Sequence, residues 1–255
     1  MTTNRRPLFA VLTVVLALSG CKSTASSSAP PGSATGSKAS SGTDARSVSP
    51  LANRDGLKPG LGAITSAGDQ SQARDLITKL TTAATGPKTG YTREKFGDAW
   101  TDNATGVPFA DNGCDTRDDV LARDGLDLAY ASGSKCVLAS MTLYNPYKSE
   151  TIQWTKAKAT TVQIDHVIPL SYAWQMGAAR WSDDQRVQLA NDPLNLLAVD
   201  GSDNASKGDS GPAEWLPPNT GIHCSYAVRF AEVALKYKLD VAKEDKAKML
   251  TLCQG

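Results

Sequence analysis

Gln163-Ile164-Asp165-His166-Val167-Ile168-Pro169-Leu170-Ser171 opens the stretch around which this chain is organised. Asn191-Asp192-Pro193-Leu194-Asn195-Leu196-Leu197-Ala198-Val199-Asp200-Gly201-Ser202-Asp203-Asn204-Ala205-Ser206-Lys207-Gly208-Asp209 closes it. Thr161 to Ile164 reads as a strand that ends at Asp165-His166, and Asn195 to Val199 as a short buried strand. Between them, Ser171 to Gly177 and Ser182 to Asn191 read as helices, the second capped by Ser182. Asp203 to Lys207 starts a helix or a helical turn.

The residue types here concentrate chemistry found nowhere else in the chain. A carboxylate such as Asp165 is a hard oxygen ligand for Mg²⁺, Mn²⁺ or Ca²⁺, and Asn204 offers a neutral carbonyl oxygen to the same ion. Mg²⁺ takes one or two protein ligands and completes its octahedron with water and phosphate, so two such ligands suffice. His166, unperturbed, titrates near neutral pH and can accept a proton from water. Lys207 lies three residues after Asn204 on the same helix face, in reach of a phosphate oxygen. One geometric demand follows. Neighbours on a strand face opposite sides, so Asp165 and His166 share a site only if the strand ends or twists there. Pro169 is consistent with that ending.

Outward from this stretch, Asp69 to Ala84 carries Ala73, Leu76, Ile77 and Leu80 at helical spacing, and Gly86-Pro87 stops it. Thr92 to Phe96 opens a short helix that turns Phe96 and Trp100 inward. Thr116 to Arg123 reads as a helix capped by Asp115 or Thr116. Cys136 to Leu143 and Thr151 to Trp154 read as a strand pair joined by the turn Asn145-Pro146-Tyr147-Lys148. Cys224 to Tyr237 is a helix with Tyr226, Phe230, Val233, Ala234 and Tyr237 inward, and Asp245 to Leu252 is a last one. The fold class expected is α+β with few strands.

The amino terminus reads as an address. Arg5 and Arg6 precede a short apolar run from Leu8 to Leu18, too short for a comfortable membrane span, so residues 1–20 are expected to be a signal peptide. Leu18-Ser19-Gly20-Cys21 resembles a bacterial lipobox, which implies lipidation of Cys21 and anchoring outside the cytoplasmic membrane; the alternative is an ordinary secretory signal with an incidental Cys21. Residues 21–50 are rich in Ser, Ala, Gly, Thr and Pro and read as a flexible tether. Residues 51–255 suit one domain with one core. Four further cysteines, an even number in an exported chain, suggest disulfides. Cys114 with Cys136 and Cys224 with Cys253 are the favoured pairs, because each brackets a local unit. The absence of any C-x-x-C pair argues against zinc on these cysteines. A net charge of +1 argues against a high-affinity or processive DNA binder and leaves room for an enzyme that meets its substrate transiently.

Asp165-His166-Val167-Ile168-Pro169, Asn195-Leu196-Leu197 and Asn204-Ala205-Ser206-Lys207-Gly208 together resemble the HNH (ββα-metal) endonuclease motif, with a core at about 161–210. The resemblance is nearer to the GmrSD-type HNH family and to secreted actinobacterial HNH lipoproteins. It extends from about Tyr91 to Cys253 and includes N-G-C-D-T-R-D-D-V-L, the Asn-Pro-Tyr turn and W-L-P-P-N. It implies a ββα core with surrounding helices, with Asp165 and Asn204 as metal ligands and His166 as general base. Asn195 would brace the metal loop, and Lys207 would steady the phosphate. The last motif letter is Asn, which favours Mg²⁺ or Mn²⁺ over Zn²⁺. The implied reaction is single-metal hydrolysis of phosphodiesters, with 5′-phosphate products.

Other residues read more than one way. Arg117 is either a substrate-phosphate contact or the partner of a nearby carboxylate such as Asp118 or Asp119. His223 reads as structural or solvent-facing, Asp200 and Asp203 as turn and cap residues, and Asp209 as surface. Trp174, Trp181 and Trp215 read as core rather than base-stacking platforms. No specificity module is recognisable, which points to DNA cleavage with little sequence preference; no feature excludes RNA. The competing class is a non-enzymatic surface lipoprotein using the domain as a binding module. Convergence of Asp165, His166 and Asn204 separates the two.

Overall fold

Period-two alternation places the central stretch between two cores. In a computed structural model, which describes residues 44–254, β5 (Val162–His166) pairs antiparallel with β6 (Leu196–Asp200), with Asp165 opposite Leu197 and His166 opposite Leu196. Val162, Ile164, Leu196 and Ala198 face one core, together with Val120, Leu121, Leu138, Met141, Leu143 and Trp154. Leu197 and Val199 face the other way, into a larger core built on Tyr226, Phe230 and Val233. Burying each Leu or Val contributes about 1.5–3 kcal/mol, so a one-residue slip of this hairpin would expose apolar groups on both faces at once.

The earlier elements are α1 (Ala67–Thr78), β1 (Thr82–Ala83), α2 (Thr116–Asp124), β2 (Gly125–Tyr130), β3 (Leu138–Asn145) and β4 (Glu150–Thr155). β2, β3 and β4 form an antiparallel sheet that backs the hairpin. α2 starts where Asp115 accepts from the Asp118 N–H at 2.7 Å. Its end holds β6 in place. Arg123 donates to the carbonyls of Pro193 and Leu196, and Asp124 accepts from the Ala198 N–H at 2.9 Å.

Between β5 and β6 lie α3 (Leu170–Gln175) and α4 (Asp183–Asn191), the latter opened by a capping box of Ser182 and Gln185. α5 (Gly201–Lys207) follows β6, with the Asp200 carboxylate accepting from Ser202 and Asp203 N–H groups. α6 (His223–Lys236), β7 (Val241–Ala242) and α7 (Lys243–Leu252) complete the domain.

Both expected disulfide pairings, Cys114–Cys136 and Cys224–Cys253, are present. The domain is α+β with small antiparallel sheets. Three strands escape the sequence pattern. β2 carries Asp127 at φ 51° and shifts of register against β3, which break its period. β1 and β7 are two residues each and pair parallel, too short for any periodicity. The folded part also starts earlier than residue 51. Arg46 donates to the carbonyls of Asp124 and Gly125, and Pro50 is buried, so residues 44–50 belong to the domain rather than the tether. The expected signal peptide, Cys21 and the rest of the expected tether lie outside the described residues. Among the described residues no helix is long and apolar enough to cross a membrane.

Candidate active site

β5 stops at His166, and the stop resolves the strand-geometry demand. Asp165 and His166 leave on opposite faces, yet both line a cavity of about 180 Å³ with Asn204 of α5 and with Tyr91, Arg93 and Leu170. Immediately after the strand, Asn195 fixes the chain path. It is fully buried. Its Oδ1 accepts from the Ile168 N–H at 2.8 Å, and its Nδ2 donates to the Ile168 and Leu189 carbonyls at 3.3 and 3.2 Å.

Asp165 is 3% exposed. Its Oδ2 accepts from the Tyr147 hydroxyl at 2.5 Å, and both its oxygens lie against Lys207 Nζ, at 2.7 and 2.8 Å. Burial, reinforced by the Asp165 charge, pushes the Tyr147 phenol well above its ordinary pKa and keeps it a donor. Tyr147 sits in the Asn-Pro-Tyr turn. The W-L-P-P-N segment clamps that turn, with Asn219 donating to the Tyr147 and Pro146 carbonyls at 2.8 and 3.0 Å. These two segments far apart in sequence therefore serve one carboxylate.

Lys207 stands differently from the sequence expectation. It does not reach outward to a phosphate. Its side chain is 1% exposed, and its three donors go to the two Asp165 oxygens and to the His166 carbonyl at 2.6 Å. Position i+3 from Asn204 puts it on the expected helix face, but that face packs onto β5 instead of opening to solvent. Burial pulls its ammonium below the ordinary lysine range, while the Asp165 charge opposes this.

His166 is 7% exposed. Its Nε2 lies 2.9 Å from the Ala190 carbonyl, which can only accept, so Nε2 carries the proton and Nδ1 the lone pair. Trp100 stacks on the ring, centroids 5.4 Å apart and planes 12° apart. Burial, aided by the Arg93 charge, lowers the imidazole pKa to about 4, so it is neutral at pH 7. Asn204 donates through Nδ2 to Gln163 Oε1 at 2.8 Å, which fixes the amide plane and leaves Oδ1 without a protein partner among the described residues.

Arg117 is held mainly by backbone: its guanidinium donates to the Val162 carbonyl at 3.2 Å, the charges of Asp115 and Asp118 act on it without a direct ion pair among the described residues, and it does not line this cavity. It braces the entry to β5. His223 Nε2 donates to the Pro217 carbonyl, 2.8 Å away, and does not line this cleft. Trp174 packs against Tyr91 and Phe96, Trp181 against Tyr237, and Trp215 against Tyr147 and Tyr226. Tyr147, Gln163, Trp100 and Arg93 carry contacts that sequence reasoning did not assign. Tyr147 had a signal in its place in a turn already singled out, Gln163 in its place at the head of the central stretch, and Trp100 in its inward spacing from Phe96. Among the described residues no group of three or more His, Cys, Asp and Glu could hold a metal ion.

A neutral imidazole, a buried carboxylate and an amide line one cleft on an α+β scaffold, residue types that can take up a proton and offer oxygen ligands. The model of the GmrSD restriction endonuclease C-terminal domain matches residues 115–252. An "Uncharacterized secreted protein" of Arthroderma benhamiae is 39% identical over 184 residues, covering 71% of this chain and 83% of that one. No solved structure matches. This chain belongs to the family of GmrSD restriction endonuclease C-terminal domains, a family that points to nuclease-type function. The matched span contains Asp165, His166, Asn195, Asn204 and Lys207; Arg93 and Trp100 precede it.

Proposed function

We propose that this protein is an HNH-type endonuclease that hydrolyses phosphodiester bonds in DNA with little sequence preference, using one Mg²⁺ or Mn²⁺ ion. The observation that carries the reading is the convergence of Asp165, His166 and Asn204 on one cleft. A binding module has no need to aim a neutral imidazole, a carboxylate and an amide oxygen at the same space. The β5–β6 hairpin followed by α5 is the ββα unit on which the HNH reading rests.

The donor chemistry fits a hard divalent ion. Asp165 and the unpartnered Oδ1 of Asn204 are the two oxygens that would hold it, and water and phosphate supply the rest. Such an ion, when bound, supplies charge to polarise a phosphate and to offset charge on the leaving oxygen. The chain's own part is proton transfer and positioning. His166 Nδ1 takes the proton of the attacking water, and the Ala190 carbonyl holds the ring in the tautomer this needs. Asn195 keeps the segment after His166 from shifting, and Tyr147 holds the Asp165 carboxylate.

The binding-module reading has one observation in its favour: the Lys207 ammonium already occupies both Asp165 oxygens. Plasmid nicking decides between them. The purified chain is assayed with Mg²⁺, with Mn²⁺ and with EDTA, beside His166→Ala. Metal-dependent nicking lost in the variant is expected. No cleavage of DNA or RNA with any divalent metal, by folded and disulfide-intact protein, would leave the binding module standing.

The two disulfides and the relative named as secreted support a location outside the cytoplasm. Anchoring through a lipid on Cys21 is proposed from the sequence Leu18-Ser19-Gly20-Cys21.

A further inference from the structure

We propose that Arg93, supported on Trp100, is the cation that receives the substrate phosphodiester at this site, the part that motif spacing gives to Lys207. The inference rests on the nuclease reading above and names a residue outside the span matched by the family model.

Lys207 is spent. An ammonium has three donors, and all three are used inside the protein, on Asp165 and on the His166 carbonyl. Yet the cleft must meet a phosphate that carries a full negative charge. Among the residues lining it, Arg93 is the one cation. Lys88, near its rim, is already paired with Asp209 at 2.5 Å. Arg93 is exposed and makes no ion pair or hydrogen bond among the described residues, so its five N–H donors are free.

Freedom from partners does not leave it unplaced. The Arg93 guanidinium stands over the Trp100 ring, 5.8 Å from its centroid, and His166 stacks on the same ring with centroids 5.4 Å apart. Arg93 and His166 thus share Trp100 as a neighbour and line the same cleft, which keeps the cation near the imidazole that would activate water. A guanidinium fork matches two phosphate oxygens at once, which an ammonium does not. Trp100 is a positioning residue in this arrangement. It also sits at φ 59°, a left-handed conformation disfavoured for a bulky residue, so the chain adopts a costly backbone where this ring is needed.

The test uses the full chain and Arg93→Ala and Arg93→Lys variants, in two arms. In steady-state nicking with Mn²⁺, Arg93→Ala should lower kcat/KM by about 10²-fold, the scale of losing one preorganised donor to a developing oxyanion. Arg93→Lys should recover part of that loss, because charge returns without the fork. In the second arm, binding of a fluorescently labelled DNA duplex is measured against salt in a His166→Ala background. Adding Arg93→Ala should reduce the slope of log affinity against log salt by about 0.9, one phosphate contact. Wild-type nicking with an unchanged rate in Arg93→Ala, or an unchanged salt slope, would overturn the inference and leave the nuclease reading intact. An inert wild-type chain would overturn the nuclease reading, and the binding arm would still decide whether Arg93 holds a phosphate.

Discussion

Replacing Lys207 with Met keeps most of the side chain's length and removes its charge. Three short contacts disappear together, two to Asp165 and one to the His166 carbonyl. The Asp165 carboxylate, 3% exposed, keeps the Tyr147 hydroxyl and loses its counter-charge. Breaking a buried ion pair from one side costs about 3–5 kcal/mol, because the surviving charge is left uncompensated. A domain of this size moves about 2–4 °C in Tm per kcal/mol, so Tm should fall by about 6–20 °C. Asp165→Asn should cost a similar amount, now by stranding the ammonium. The double variant Lys207→Met/Asp165→Asn buries no net charge, and its loss should be smaller than the sum of the two by about 2–3 kcal/mol. Urea unfolding followed by tryptophan fluorescence, with disulfides intact, gives all four corners of the cycle. Additivity within about 0.5 kcal/mol would show that the pair is not coupled and would refute the reasoning.

Two further outcomes follow from the same geometry. His166 has a folded pKa of about 4 against an ordinary value of 6.5, so between these values the unfolded chain binds a proton that the folded chain refuses. Stability should therefore fall as pH drops from about 6.5 to about 4, by about 3 kcal/mol, and level off below; a His166→Gln variant whose profile over that window matched wild type would contradict this. Tyr147→Phe keeps the ring contacts with Trp215 and Tyr226 but removes one hydrogen bond to a buried carboxylate, an expected loss of about 1.5–3 kcal/mol by denaturant titration; a loss below about 0.5 would mean that bond contributes little.

Much of the site was legible because its residues lie in local patterns. The Asp165-His166 strand end, the buried apolar run at 196–199 and the i+3 spacing of Asn204 and Lys207 all depend on neighbours in sequence. What was not legible depends on tertiary direction. Spacing puts Lys207 on the Asn204 face of α5, but spacing cannot say that this face meets β5, and that contact turns a phosphate ligand into an internal ion pair. The acceptors of Arg117 were hidden for the same reason: they are the Ala159 and Val162 carbonyls, 42 and 45 residues away. Helical spacing put Trp100 inward with Phe96, but not onto His166 or beside Arg93, since the 3₁₀ turn ends at Phe96 and Trp100 lies beyond it in a positive-φ conformation.

The position of α5 itself turns on one glycine. Asn204 and Lys207 both depend on how closely the start of this helix approaches the chain leading into β5. A Cβ at Gly201 would lie 2.4 Å from the Thr160 carbonyl oxygen and 3.2 Å from Gln163 Nε2. The first contact is with backbone and cannot rotate away, and the second disturbs the residue that orients Asn204. Gly201→Ala should therefore displace the helix start, cost about 1–3 kcal/mol as an overpacked contact, and lower nicking more than the stability loss explains. Gly208, at φ 54°, provides the contrast, because a Cβ there would meet no atom within 4 Å. Gly208→Ala should cost about 1–3 kcal/mol from the backbone alone, since φ 54° with ψ −124° is a conformation that residues with a Cβ avoid. It should leave the Asn204 amide in place. Equal nicking by stability-matched Gly201→Ala and Gly208→Ala proteins would mean that the close approach of α5 to β5 does not set the site.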